Sequence, residues 1–330
     1  MKLVTNCIVA MVLIVCTATV QALAGDVRVE RAAAMRSVDM ELYTFYMKQS
    51  QGLELCNSIC PDHAEAFENA SGTLAVLLDD AVSSIRSEQY GTVDFRKYDG
   101  ELYAASKGKF SDSVGCTSCI ALVEDVQKYS ENGLPAEMAR TVLFHTEKYR
   151  LSPEQEFSDG LVSITRYQWN ASGKKRTCRV SIPKTWGKVA STGARRSVEY
   201  RSALGNGIPF FSIQYAPARR VSSEDAVMQE LQRRVSLDTL SEHFGTVEIL
   251  AQGVQRLGNT QSIWVMFSAN GKGDNGAGYY YNWYMLVDGT VLMFQSGVSG
   301  EGNAPTMEQE ELFRKYYQTL REIAVSSVIG

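Results

Sequence analysis

Four cysteines carry the densest chemistry in this sequence. Cys56-Asn-Ser-Ile-Cys60 and Cys116-Thr-Ser-Cys119 set their thiols four and three residues apart. On helices, each pair falls on one face. Three kinds of chemistry use such spacings. Two disulfides would staple the segment around residue 56 to a helix starting near residue 117. Closing loops of about 60 residues stabilises by up to ~4 kcal/mol. Thiol redox chemistry would use Cys116 and Cys119, where a helix N-terminus lowers a thiol's pKa. It lacks the strand-helix-strand surroundings of a thioredoxin-like site. A four-thiolate zinc site, with His63 as a substitute ligand, also fits the gaps.

The N-terminus bears on that choice. Met1 and Lys2 give a short positive start, and an apolar stretch runs from Cys7 to about Ala22. Ala22-Leu23-Ala24 is a small-x-small cleavage pattern, so residues 1–24 read as a secretory signal. Cys7 and Cys16 leave with it. An exported chain meets an oxidising compartment, periplasmic or extracellular, which argues for disulfides. The redox and zinc readings remain the alternatives. The fifth cysteine of the mature chain, Cys178, is expected to be free, buried and unreactive.

The formal net charge is -4, and loss of Lys2 makes it -5. A mildly acidic chain is a poor nucleic-acid binder. No second apolar run is long enough to span a membrane.

Other candidate motifs are weaker. Gly271-Lys-Gly-Asp-Asn-Gly276 matches a dinucleotide fingerprint by letter. Another strand follows it, so no helix N-terminus receives a pyrophosphate, and a hairpin loop is expected. Asp274 is the loop's only carboxylate, which excludes a calcium loop. His63, His145 and His243 show no metal-pair spacing and read as structural or surface residues. No cofactor is implied, and no nucleophile elbow or phosphate loop occurs. Tyr279-Tyr-Tyr-Asn-Trp-Tyr284 is an aromatic strand. Alternation puts Tyr279, Tyr281 and Trp283 on one side and Tyr280, Asn282 and Tyr284 on the other. One set is expected in the core, and the other is a candidate binding surface.

The elements that must carry these residues fall into two halves. Residues 25–150 show helical periodicity, with helices expected over about 63–87, 117–129 and 135–149. Residues 91–115 are glycine-punctuated and give no clear pattern. Residues 151–160 contain Pro153 and Gly160 and read as an inter-domain linker with few buried contacts. Residues 161–330 alternate as strands. Helices interrupt them near 223–240 and 307–325, and Asp288-Gly289 marks a hairpin. The fold class is α+β: a disulfide-stapled helical domain, then an antiparallel sheet flanked by helices.

Thr177-Cys-Arg-Val-Ser-Ile-Pro-Lys-Thr-Trp186 resembles the strand-proline-tryptophan opening of PsbP-like domains. The elements after it follow the same order. The resemblance covers about half the chain and implies an α/β/α sandwich. That family's members do unrelated things without a shared catalytic site, so no functional residue carries over. The expected role is a non-enzymatic accessory or binding protein of the bacterial envelope, with a protein or small-molecule partner. A thiol-disulfide oxidoreductase and a zinc-binding module are the alternatives.

Overall fold

The computed structural model describes residues 36–89, 91–110, 116–189, 197–218, 223–273 and 275–330. The expected signal, residues 1–24, and Asp274 lie outside them.

The helical half begins with α1, residues 36–59. Ala64–Glu88 (α2), Phe95–Lys109 (α3), Cys116–Asn132 (α4) and Ala136–His145 (α5) follow. α2 buries Phe67, Ala70, Leu74, Leu78, Ala81, Val82 and Ile85, the stripe its three- and four-residue steps encode. α3 fills part of the unassigned stretch. It buries only Phe95, Leu102 and Ser106, so its periodic signal is thin, but the Asp94 side chain caps it by accepting from the Lys97 amide. Gly133 at φ 78° ends one helix and Pro135 precedes the next. Extended backbone at Thr146 then splits the expected helix over 135–149 into α5 and Glu147–Leu151 (α6).

The 151–160 segment is packed, contrary to the open linker expected. It contains Gln155–Ser158 (α7). Glu156 is 1% exposed and accepts bonds from the Thr185 amide (3.1 Å) and hydroxyl (2.5 Å). Proline and glycine marked the turns, but a buried carboxylate with two donors anchors what they connect. Nearby, the Arg140 guanidinium donates to the carbonyls of Lys184 (2.8 Å) and Trp186 (2.9 Å). These bonds tie α5 to the second half.

That half holds two antiparallel sheets. Val162–Ala171 (β1) and Lys174–Pro183 (β2) pair as a hairpin, and Val328–Ile329 (β10) adds to the far side of β2. The larger sheet has seven strands: Gly187–Val189 (β3), Ser197–Arg201 (β4), Pro209–Pro217 (β5), Val247–Leu257 (β6), Thr260–Ala269 (β7), Ala277–Val287 (β8) and Thr290–Gly300 (β9). Their order is β3-β4-β5-β9-β8-β7-β6. The turn between β8 and β9 has φ 49° at Asp288 and 73° at Gly289, as an Asp-Gly hairpin requires.

Alternation along β7 sorts the core. Ile263, Val265 and Phe267 bury beneath Glu224–Arg234 (α8) and Leu237–Phe244 (α9). Trp264 and Met266 face the opposite cluster, which holds Met307–Val325 (α10) and the inner face of β1–β2. The expected single helix over 223–240 is two. Ser236 is a second N-cap, accepting from the Thr239 amide, and starts α9 just after α8 ends. α8 itself is capped by Ser223. A capping box at Thr306 and Gln309 opens α10.

Candidate functional site

The four cysteines form two disulfides between helices, Cys56–Cys119 and Cys60–Cys116. Cys60 follows the last turn of α1, and its amide still bonds the Cys56 carbonyl (2.9 Å). Cys116 and Cys119 occupy the first turn of α4. The residue nearer the end of one helix joins the residue nearer the start of the other, which fixes the two helices antiparallel. Cys56, Cys60 and Cys119 are buried. Cys119 is therefore bonded to the last turns of α1 and Cys116 to the residue that follows it, not to each other. His63 sets its ring edge-on to Phe67, with 6.5 Å between the ring centroids.

A second cluster unites three helices through His145, at the end of α5. Its Nε2 lies 2.9 Å from Asp39 Oδ1 on α1. Its Nδ1 lies 3.3 Å from Ser84 Oγ and 3.8 Å from Glu88 Oε1 on α2. Asp39 Oδ2 also accepts from Gln89 (3.3 Å), and Glu88 pairs with Arg150 of α6 (3.2 Å). Asp39 and His145 are each 2% exposed.

Electrostatics define what this cluster can do. Burial alone pushes the imidazole's pKa down, but hydrogen bonds and charge from Asp39 and Glu88 outweigh it and bring it up to about 9. The ring is then an imidazolium donating from both nitrogens. The same contact holds the Glu88 carboxyl below its ordinary range, against an opposing push from burial. Asp39, Glu88 and His145 offer ligand atoms within 4.8 Å of one another. The two carboxylates, however, meet different ring nitrogens, and one ion can take only one of them. Arg150 already occupies Glu88. The geometry is that of a cationic ring clamped between two anions.

A serine-histidine-aspartate reading of Ser84, His145 and Asp39 also fails chemically. Ser84 lies inside α2, where backbone amides are engaged in helix bonds and offer no oxyanion site.

The aromatic strand is core on both sides. Tyr280, Tyr281, Trp283 and Tyr284 are buried, and Asn282 is 0% exposed. Only Tyr279 is partly exposed, stacked on Phe313 of α10 and donating to Glu310 (3.2 Å). The expected alternation holds, but helices cover one face and α10 with its neighbours covers the other. Neither set is a free binding surface.

The Gly271–Gly276 segment closes between β7 and β8 through a bridge at Lys272 and Asn275. Asn275 donates to the His243 carbonyl (3.0 Å) and accepts from Gln295 (3.1 Å), which makes this a pinned turn. An open groove of about 520 Å³ lies elsewhere, between β6 and the α8–α9 junction. Val235, Leu237, Ile249, Val254 and Ile263 line it, with Gln232 and Gln252.

Cys178 is free, 0% exposed, and faces the core with Val180 and Ile182. Burial pushes its thiol up to about 12. Thiol titration of the native protein is expected to miss it. After denaturation without reductant, the wild type should show one thiol more than Cys178→Ser. A native-state reaction lost in that variant would contradict the burial.

No family model matches the chain, and no curated protein matches it. Among solved structures, the chain is similar to cyanobacterial PsbP (CyanoP) from Synechocystis sp. PCC 6803. The match has 13% identity and a TM-score of 0.32, and covers 51% of this chain and 93% of that one. The α+β assignment rests on this chain's own strand order and layers. Among the described residues, no helix is long and apolar enough to cross a membrane.

Proposed function

We propose that this chain is an exported, non-enzymatic accessory or binding protein of the bacterial envelope. In this reading the helical half is a stapled scaffold, and the second half is a PsbP-like domain. One observation carries the proposal: all four cysteines with redox or zinc spacing are joined across α1 and α4. Such cross-links persist in oxidising compartments and serve architecture. A dithiol catalyst would instead cycle a bond between Cys116 and Cys119, which requires breaking both staples.

The test is an insulin-reduction assay on wild type and Cys116→Ser, with zinc measured in freshly purified protein. The expected result is background turnover in both and no stoichiometric zinc. Turnover lost in Cys116→Ser would replace this reading with an oxidoreductase. One zinc per chain would replace it with a metal-binding module.

A further inference from the structure

Among the described residues, the small sheet has one face in the core and one largely exposed. Cys178, Val180 and Ile182 of β2 point inward. Alternation turns Lys175 and Arg179 outward, with Ile164 and Arg166 of β1. Arg166 lies directly opposite Arg179, and Val328 of β10 flanks Arg179 on its other side. Ile164 is 70% exposed and Val328 50%.

Two features of this face are unusual. First, like charges directly opposite on a sheet are destabilising. Among the described residues, no carboxylate pairs with Arg166 or Arg179. Second, the outward positions of β1, β2 and β10 carry three cations and no acid, in a chain whose net charge is -4. Bare aliphatic side chains stand beside the guanidinium groups. Basic and aliphatic groups together suit the boundary between lipid headgroups and acyl chains. Guanidinium forks match phosphate oxygens in pairs.

We propose that the outer face of β1–β2–β10 docks on an anionic lipid bilayer. Lipid phosphates would lie between Arg166 and Arg179 and relieve their repulsion. Ile164 and Val328 would enter the headgroup layer. The acidic remainder of the chain is repelled by the same surface, so attachment needs this face and fixes one orientation. The proposal is independent of any thiol chemistry and of the envelope reading above.

The experiment is co-sedimentation of the full chain with vesicles of phosphatidylcholine, with and without phosphatidylglycerol. Each cation near an anionic surface changes partition about five-fold, so three give on the order of 100-fold preference for the anionic vesicles. R166Q/R179Q should lose about 30-fold of that binding. Its unfolding midpoint should equal or exceed the wild type's, since a repulsion is removed. High salt should abolish binding by screening. R256Q/R314Q removes the same charge from other exposed sites and should bind like wild type. Equal binding to both vesicle types would overturn the proposal. So would wild-type affinity in R166Q/R179Q, or an equal loss in R256Q/R314Q.

Discussion

Asp39→Ala is expected to destabilise the helical half by roughly 3–5 kcal/mol, the cost of leaving a buried charge without its partner. The His145 ring is enclosed by α1, α2 and α5, with Arg150 of α6 beyond Glu88. Removing Asp39 strips the closest anion and also orphans the Gln89 amide that donates to it. The remaining ring must lose its proton or lose its burial. Urea unfolding of wild type and variant measures the difference. A loss under about 1 kcal/mol would show that the contact contributes no more than an ordinary surface pair.

The same clamp gives stability a definite pH dependence. His145 has a folded pKa raised from 6.5 to about 9. Its contribution is fully present below the unfolded value and is lost as pH rises through 9. The shift corresponds to roughly 3 kcal/mol. Glu88 acts with the opposite sign: its folded pKa is lowered, so its contribution is lost as pH falls below the carboxylate range. The helical half should therefore be most stable in mildly acidic solution, between about pH 5 and 6.5. Unfolding midpoints across pH 6 to 9.5 would read the basic limb. His145→Gln, which cannot charge, should flatten it. An unchanged slope in that variant would assign the limb to another group.

Much of the architecture was legible because local signals and burial agree. α2 wrote its buried stripe in three- and four-residue steps, and Asp288-Gly289 specified a turn that few other pairs accept. The clamp was not legible. Asp39 and His145 are 106 residues apart, and neither has a neighbour whose type suggests a partner. Only the packing of α1 against α2 and α5 brings them together. The aromatic strand shows a different limit. Alternation assigned each ring to a face correctly, but period two cannot say how many faces are covered. That depended on α8 and α9 lying on one side of the sheet and α10 on the other. The α8–α9 break was hidden by Ser236, a cap inside an otherwise continuous apolar rhythm.

Removing both disulfides is expected to cost more than twice the cost of removing either one. Cys56–Cys119 closes 63 residues of chain and Cys60–Cys116 closes 56, and the second loop lies inside the first. With either bond intact, the long loop is already closed. The other bond then closes only a small ring, made of the two short cysteine spacings. Chain entropy puts that second closure at about 2.5 kcal/mol and the first, long closure at about 4 kcal/mol. Cys56→Ala/Cys119→Ala and Cys60→Ala/Cys116→Ala should each lose about 2.5 kcal/mol, and the four-cysteine variant roughly 6–7 kcal/mol. The difference is a coupling between sites that share a constraint. Cys56, Cys60 and Cys119 are also buried and Cys116 is half-buried, so each pair variant carries a packing loss of its own that adds without coupling. Denaturant unfolding of the three variants measures the cycle. Strict additivity would mean the unfolded chain does not feel the long loop. The staples would then act only by packing α1 against α4.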